Sequence, residues 1–271
     1  TIIENKDKAL ISKKLVTLKK DVPIKNKIGE FKLKAIDKKK LYNFLNEMEF
    51  NRLLSSTIST YGEVAFSERE ETNFKKKENK KISNKHYKLI TSEKEIDKYL
   101  NEAEEIGELA IDTETTSLNP HLAKLVGISL STKIGEAAYI PIGHKKGENL
   151  NEKNVIKKLK PTLEDKSIKK IGQNIKFDYL ILYHRGIDMN PLEDTMLMSY
   201  VLDAGKNRHN MDTLSELHLG HKPISFKELV GTGKKQINFS EVIIGDAKNY
   251  ASEDADITYR LYKIFFESLK K

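Results

Sequence analysis

The run Leu109-Ala-Ile-Asp-Thr-Glu-Thr115 constrains this chain more than any other stretch. Its apolar start reads as a buried strand, and that strand ends in two carboxylates, Asp112 and Glu114. Side chains alternate along a strand, so the two share one face. Carboxylates crowded at a buried strand end repel one another and lose solvation unless hard cations neutralise them. The spacing therefore raises the expectation of a divalent-metal site. A D-x-E pair alone is most often a solvated strand end, so the expectation depends on further carboxylates joining the pair.

Two segments supply them. In Ile171-Gly-Gln-Asn-Ile-Lys-Phe-Asp178 a short apolar strand gives way at Gly172 to a helical pattern through Ile175, Leu180, Ile181 and Leu182. Asn174 and Asp178 are four apart and would share a face on a helix. Tyr250-Ala-Ser-Glu-Asp-Ala-Asp256 opens a helix continuing through Ile257, Leu261, Ile264 and Phe265. Tyr250 and Asp254 share a face there, beside alanines small enough for close packing on a sheet. Asp256 points elsewhere and reads as a surface or structural acid.

The ordered series Asp112-x-Glu114, Asn174-x-x-Phe177-Asp178 and Tyr250-x-x-x-Asp254 resembles the tyrosine branch of the DEDD 3′–5′ exonucleases. The words Asp112-Thr-Glu-Thr-Thr-Ser-Leu118, Ala138-Tyr-Ile-Pro-Ile-Gly-His144, Gly172-Gln-Asn-Ile-Lys-Phe-Asp178 and Tyr250-Ala-Ser-Glu-Asp-Ala-Asp256 are similar to the proofreading domain of bacterial DNA polymerases I. The resemblance spans roughly 85–271. Phe177 departs from relatives that carry tyrosine there, which removes a hydroxyl but no metal ligand.

The resemblance implies a ribonuclease H-like α/β fold, a mixed five-stranded sheet flanked by helices, with Asp112 and Glu114 on its first, central strand. It implies hydrolysis of phosphodiesters with two divalent cations, Mg²⁺ with Mn²⁺ able to substitute, held by Asp112, Glu114, Asp178 and Asp254. In that family pattern Asp112, Glu114 and Asp254 hold the ion that activates water, Asp112 bridges to the second ion, and Asp178 reaches it through bound water. Tyr250 orients the attacking water with Glu114. Leu118 and Phe239 match positions that pack on terminal bases. Phe177 is a further substrate contact, and Gln173 and Asn174 either meet substrate or complete the strand-to-helix turn. The expected substrate is single-stranded DNA or a frayed primer 3′ end, with a polymerase domain on the same polypeptide. An RNA-trimming enzyme of the ribonuclease D kind and a non-catalytic DNA-binding scaffold are the alternatives; the survival of all four carboxylates speaks against the scaffold.

Composition agrees with a soluble nucleic-acid enzyme. The chain has 271 residues and no cysteine, which excludes disulfides and thiolate zinc sites. No apolar run approaches the roughly 20 residues that span a bilayer, and no signal peptide is visible. A monomer in the cytoplasm, associated with the nucleoid, is expected. His209, His218 and His221 fit no common zinc spacing and read as capping or surface residues.

Charge divides the chain. Residues 1–88 carry 22 Lys+Arg against 12 Asp+Glu, and the remainder 26 against 28. Lysine-rich stretches are usually solvated faces or linkers, and arginine supplies few of the cations, so the basic N-terminal part does not by itself specify a function. Residues 1–62 read as a small helical appendage: an amphipathic stretch closed by Asp21-Val-Pro23, then a helix entered through Asp37 and running from Leu41 to Leu54. They resemble the closing portion of the polymerase I 5′-nuclease domain without its acidic cluster, so no flap cleavage is expected. Residues 63–85 read as a flexible linker, and residues 86–271 as the exonuclease domain. That chain fragment begins at threonine, which fits a piece of a longer polypeptide.

Within 86–271 the pattern alternates. After Tyr87-Lys-Leu-Ile90, strands are expected at 108–114, 124–132 and 136–142 as an antiparallel meander and at 168–172, with a short extended stretch before Pro191. Helices are expected at 93–105, 152–163, 175–185, 192–203, 211–219, near 226–230 and at 248–269.

Overall fold

The structure, a computed structural model, describes residues 3, 5–25, 27–33, 35–48, 50–62 and 86–270. The expected linker at 63–85 lies outside the described residues. The chain divides into two compact units, Thr1–Ser67 and Glu68–Lys271.

The first unit contains α1 (Lys6–Val16), α2 (Lys38–Glu47) and α3 (Asn51–Tyr61). Helix α1 buries none of its residues. Asp37 caps α2 by accepting from the Lys40 N–H. The single helix expected from 41 to 54 is instead two: α2 stops at Glu47 and the chain restarts at Asn51, so that Tyr42, Leu45 and Leu54 are buried while Phe44 packs edge-on to Phe50. An apolar spacing that stays in phase across a short turn cannot reveal the break. The Tyr42 hydroxyl ties the end of α3 by donating to the Gly62 carbonyl.

The second unit is a six-stranded mixed sheet with helices on both faces. In chain order its elements are β1 (His86–Leu89), α4 (Glu93–Ile106), β2 (Glu108–Thr115), β3 (Leu125–Lys133), β4 (Glu136–Pro141), α5 (Glu152–Glu164) and β5 (Lys169–Gly172). There follow α6 (Lys176–Tyr183), β6 (Leu192–Asp194), α7 (Thr195–Asp203), α8 (Met211–Leu214), a π-helical turn Ser215–Leu219, α9 (Phe226–Val230) and α10 (Ile244–Leu269). The spatial order is β1-β4-β3-β2-β5-β6, with β3 antiparallel to both β2 and β4 and the pairs β1–β4, β2–β5 and β5–β6 parallel. No helix among the described residues is long and apolar enough to cross a membrane.

The sheet has six strands rather than the expected five. The expected helix at 192–203 opens with three extended residues that pair with β5, and the helix starts only after Asp194 has capped it. Three residues are too few for a period-2 signal. The final helix begins at Ile244 rather than 248.

Parity along β2 decides what faces what. Leu109 and Ile111 enter the core shared with α4, α5 and α6, whereas Ala110 packs on the opposite face with Ile257, Leu261 and Phe265 of α10. Asp112 and Glu114 have the parity of Ala110 and so face α10. That helix lies close to the sheet because Ala247, Ala251 and Ala255, spaced four apart, are fully buried.

Candidate active site

Three carboxyl groups meet at the end of β2, and a fourth is held beside them. Asp112 and Glu114 reach their place by strand alternation, and Asp254 by its position one turn beyond Tyr250 on α10. Carboxylate oxygens of these three all lie within 4.8 Å of one another. Asp178, in the first turn of α6, stands beside the trio and is held from below: both the backbone N–H and the hydroxyl of Thr113 donate to its Oδ1, at 2.8 and 2.5 Å. Thr113 is the middle residue of the D-x-E word, and alternation sends it to the opposite face, toward α6.

Electrostatics follows from that crowding. Burial pushes the Asp112 carboxyl up to about 6. Burial, together with the charges of Asp112, Asp254 and Asp178, holds Glu114 well above the usual carboxylate range. Asp178 is raised by burial and by Asp112 against the opposing Thr113 bonds, and Asp254 by burial and by Asp112 against a hydrogen bond with Tyr250. The named charges acting on all four are acidic. Crowded acids with no basic partner among the described residues, all offering hard oxygen, form a donor set suited to divalent cations of the magnesium type.

Tyr250 is half-buried. Burial first, then the charges of Asp254, Glu114 and Asp112, drives its phenol far above the ordinary tyrosine value, so it remains protonated and a donor. Its ring joins an aromatic cluster, 6.1 Å from both Phe226 and Phe239, which stack on each other at 6.3 Å and 6°.

A cavity of about 460 Å³ opens over these groups, lined by Asp112, Glu114, Tyr250 and Asp254 together with Leu118, Phe177 and Phe239. Leu118 is 94 % exposed at its rim, whereas Phe239 is 2 % exposed in its wall. Gln173 and Asn174 are not brought to this cavity. Gln173 donates to the His209 carbonyl and accepts from Thr195, which ties the end of β5 to the start of α7 and to the 209 segment. Asn174 sits at φ 58°, the left-handed region that asparagine tolerates, so it precedes α6 and does not share a helical face with Asp178.

Several contributors are silent in the sequence. Phe226 completes the aromatic cluster, and only the Ser225–Glu228 capping box marks its surroundings. Asp194 accepts from the N–H groups of Asn174, Ile175 and Met196, fixing the turn that delivers Asp178. Asn238 donates to the Thr116 carbonyl and so ties the Phe239 segment to the end of β2. Asp256 is fully buried and structural, accepting from Tyr87, Gly135 and Arg260. His221 is likewise internal, paired with Glu253 at 3.0 Å, and His209 meets Ser199. His221 is thus not a surface residue, whereas His209 is half-buried, and among the described residues no histidine joins a metal-type cluster.

Sheet order, flanking helices and the acidic strand end together define an α/β exonuclease of the ribonuclease H-like class. The chain belongs to the 3′-5′ exonuclease family, whose profile matches residues 87–270. It is 34 % identical to DNA polymerase I of Pseudomonas aeruginosa over 98 % of this chain and 29 % of that protein. It is 43 % identical to DNA polymerase I of Rhizobium leguminosarum over 62 % of this chain and 19 % of that one. The chain thus spans less than a third of the length of these relatives. Escherichia coli RNase D shares the fold at a TM-score of 0.50 and 17 % identity, over 68 % of this chain and 45 % of that one.

Proposed function

We propose that this 3′–5′ exonuclease removes nucleotides from single-stranded or frayed DNA 3′ ends with two divalent cations, Mg²⁺ or Mn²⁺, and proofreads for a polymerase on the same polypeptide. The observation that carries the reading is the meeting of Asp112, Glu114 and Asp254 within 4.8 Å in the lining of the cavity, with Asp178 held beside them by Thr113. Those four carboxylates would hold the cations. Cations at such a site neutralise phosphate charge and lower the pKa of water, so that hydrolysis proceeds near neutral pH.

The chain's own residues supply the rest. Glu114 accepts a hydrogen bond from the attacking water while the protonated phenol of Tyr250 turns it toward phosphorus. Leu118 and Phe177 offer apolar surface to the terminal bases, contact that tolerates any sequence, with the buried Phe239 lining the wall beside them. The cavity volume falls within the range that takes a small ligand, about 300–1,000 Å³. Because the site takes unpaired ends, mismatched termini that fray readily are selected without base readout.

Residues 1–62 are proposed as a tail related to the end of a 5′-nuclease domain, 63–85 as a linker and 86–271 as the catalytic domain of a monomeric cytoplasmic enzyme. Alignment of the Pseudomonas polymerase over nearly the whole chain supports that order.

Incubating the protein and Mg²⁺ with 3′-tailed DNA, and with RNA of the same sequence, tests the reading. DNA is expected to shorten from its 3′ end, and Asp112→Ala to abolish shortening. Preferential trimming of RNA transfers the enzyme to the ribonuclease D kind, and metal-independent binding without turnover makes it a scaffold.

A further inference from the structure

The word Ala138-Tyr-Ile-Pro-Ile-Gly-His144 contributes no carboxylate, yet it builds a support behind the cavity wall. Tyr139 is fully buried on β4, and its hydroxyl lies 2.7 Å from Nε2 of the buried His144. On the other side Nδ1 of His144 is 3.1 Å from the carbonyl oxygen of Val242. A carbonyl only accepts, so Nδ1 carries the proton; Nε2 is then the acceptor, and the Tyr139 hydroxyl donates to it. Both bonds require the same neutral tautomer. Burial lowers the histidine's proton affinity and favours that form.

His144 is itself held on both sides of its backbone, where Asn149 accepts from its N–H and donates to its carbonyl, each at 2.8 Å. The next residue continues the attachment: the Lys145 N–H donates to the Ser240 carbonyl and its ammonium to Glu241. The segment 239–242 is thus fastened by three bonds to 144–145, and Phe239 sits at its start. The His144 ring is 6.0 Å from that of Phe239, which in turn meets Phe226 and Tyr250. Tyr139 has room for this only because Gly127 lies beneath it; a Cβ there would come within 2.1 Å of the phenol oxygen. Gly127 is the partner of Glu114 in the β2–β3 ladder.

We propose that His144, seated on Tyr139, is a positioning residue for the exonuclease: it fixes the Phe239 wall against which the 3′-terminal base rests, and so sets affinity for the strand end. The inference rests on the reading of Phe239 as a base contact. An interaction made equally with bound substrate and transition state appears in KM rather than kcat.

Amide side chains separate the two bonds. In His144→Gln the amide oxygen reaches the Nε2 position and keeps the Tyr139 bond, but nothing donates to Val242. In His144→Asn the amide nitrogen reaches the Nδ1 position and keeps the Val242 bond. Tyr139→Phe retains the ring and removes the hydroxyl. Two readouts are used: hydrolysis of a single-stranded DNA with Mn²⁺, and fluorescence of a 3′-terminal 2-aminopurine on binding with Ca²⁺ in place of Mn²⁺. For His144→Gln we expect KM to rise about 10-fold with kcat changed less than about 3-fold, the range set by one base on one aromatic ring, together with weaker quenching of 2-aminopurine. His144→Asn should recover most of the KM, and Tyr139→Phe should shift KM in the same direction as His144→Gln but by less.

Wild-type KM and quenching in a folded His144→Gln protein overturn the proposal, as does a fall confined to kcat. If His144→Gln does not fold, Tyr139→Phe decides: wild-type quenching there overturns the proposal as well. A wild-type enzyme that digests DNA while both variants match it loses the support and keeps the exonuclease reading. A wild-type protein that quenches 2-aminopurine without hydrolysing DNA loses the exonuclease reading, and the variants still decide the support.

Discussion

At the scale of single residues, the acids at the end of β2 divide by what surrounds them. Asp112, Glu114 and Asp254 offer oxygens to one another's space, whereas Asp178 gives Oδ1 to Thr113 and is thereby aimed. Thr113→Val removes the hydroxyl bond at nearly constant volume. It is expected to weaken divalent-metal binding by about 10- to 100-fold, the usual cost of losing a group that orients a ligand, measured by Mn²⁺ titration calorimetry; unchanged affinity would mean that Asp178 needs no support. Tyr250→Phe keeps the ring packed on Phe226 and Phe239 and removes only the donor. Its kcat on single-stranded DNA should fall roughly 100-fold while Mn²⁺ affinity holds. Proton linkage supplies a third expectation. The folded carboxyls bind protons more tightly than unfolded ones, whose values lie at about 4, with Asp112 at about 6 and the other three raised in the same direction. The metal-free protein therefore loses stability as pH rises through this window. Cations bind the deprotonated groups, so the rise in Tm on adding Mn²⁺ should be larger at about pH 8 than at about pH 5; equal rises at both would contradict the linkage.

At the scale of elements, the site is assembled by one strand and two helices whose approach is set by small side chains. The buried stripe Ala247, Ala251 and Ala255 lets α10 lie close enough to the sheet for Asp254 to reach Asp112. Ala251→Leu overfills that contact and is expected to cost about 1–3 kcal/mol, read as a lower denaturation midpoint, with exonuclease activity falling further than stability because Asp254 is displaced. This arrangement was legible in the sequence wherever chemistry and period agreed: alternation put Asp112 with Glu114, and the i, i+4 spacing put Tyr250 with Asp254. It failed where side chains reach across the fold. Asp194 fixes the β5–α6 turn from twenty residues away, and its strand is three residues long. Asn174 adopts a left-handed conformation that ends the strand, so the four-residue spacing to Asp178 is not a helical one. Phe226 reaches Phe239 and Tyr250 through tertiary packing alone, which no local pattern encodes.

At the scale of the whole molecule, the four site carboxylates and every cavity residue lie in the unit Glu68–Lys271, which has its own core. That unit produced alone should fold and trim single-stranded DNA within about threefold of the full chain's rate, as expected of an independent domain; loss of activity would show that the N-terminal unit takes part. Residues 1–67 carry 14 Lys+Arg against 8 Asp+Glu, so removing them should also weaken the salt dependence of DNA binding. What unites the account is the claim that four acids, far apart in the chain, form one site for divalent cations. A crystal soaked in Mn²⁺ and measured at the manganese absorption edge tests it most directly. Two anomalous peaks among Asp112, Glu114, Asp178 and Asp254 are the expected result, and a fully substituted crystal with no peak there would contradict the claim.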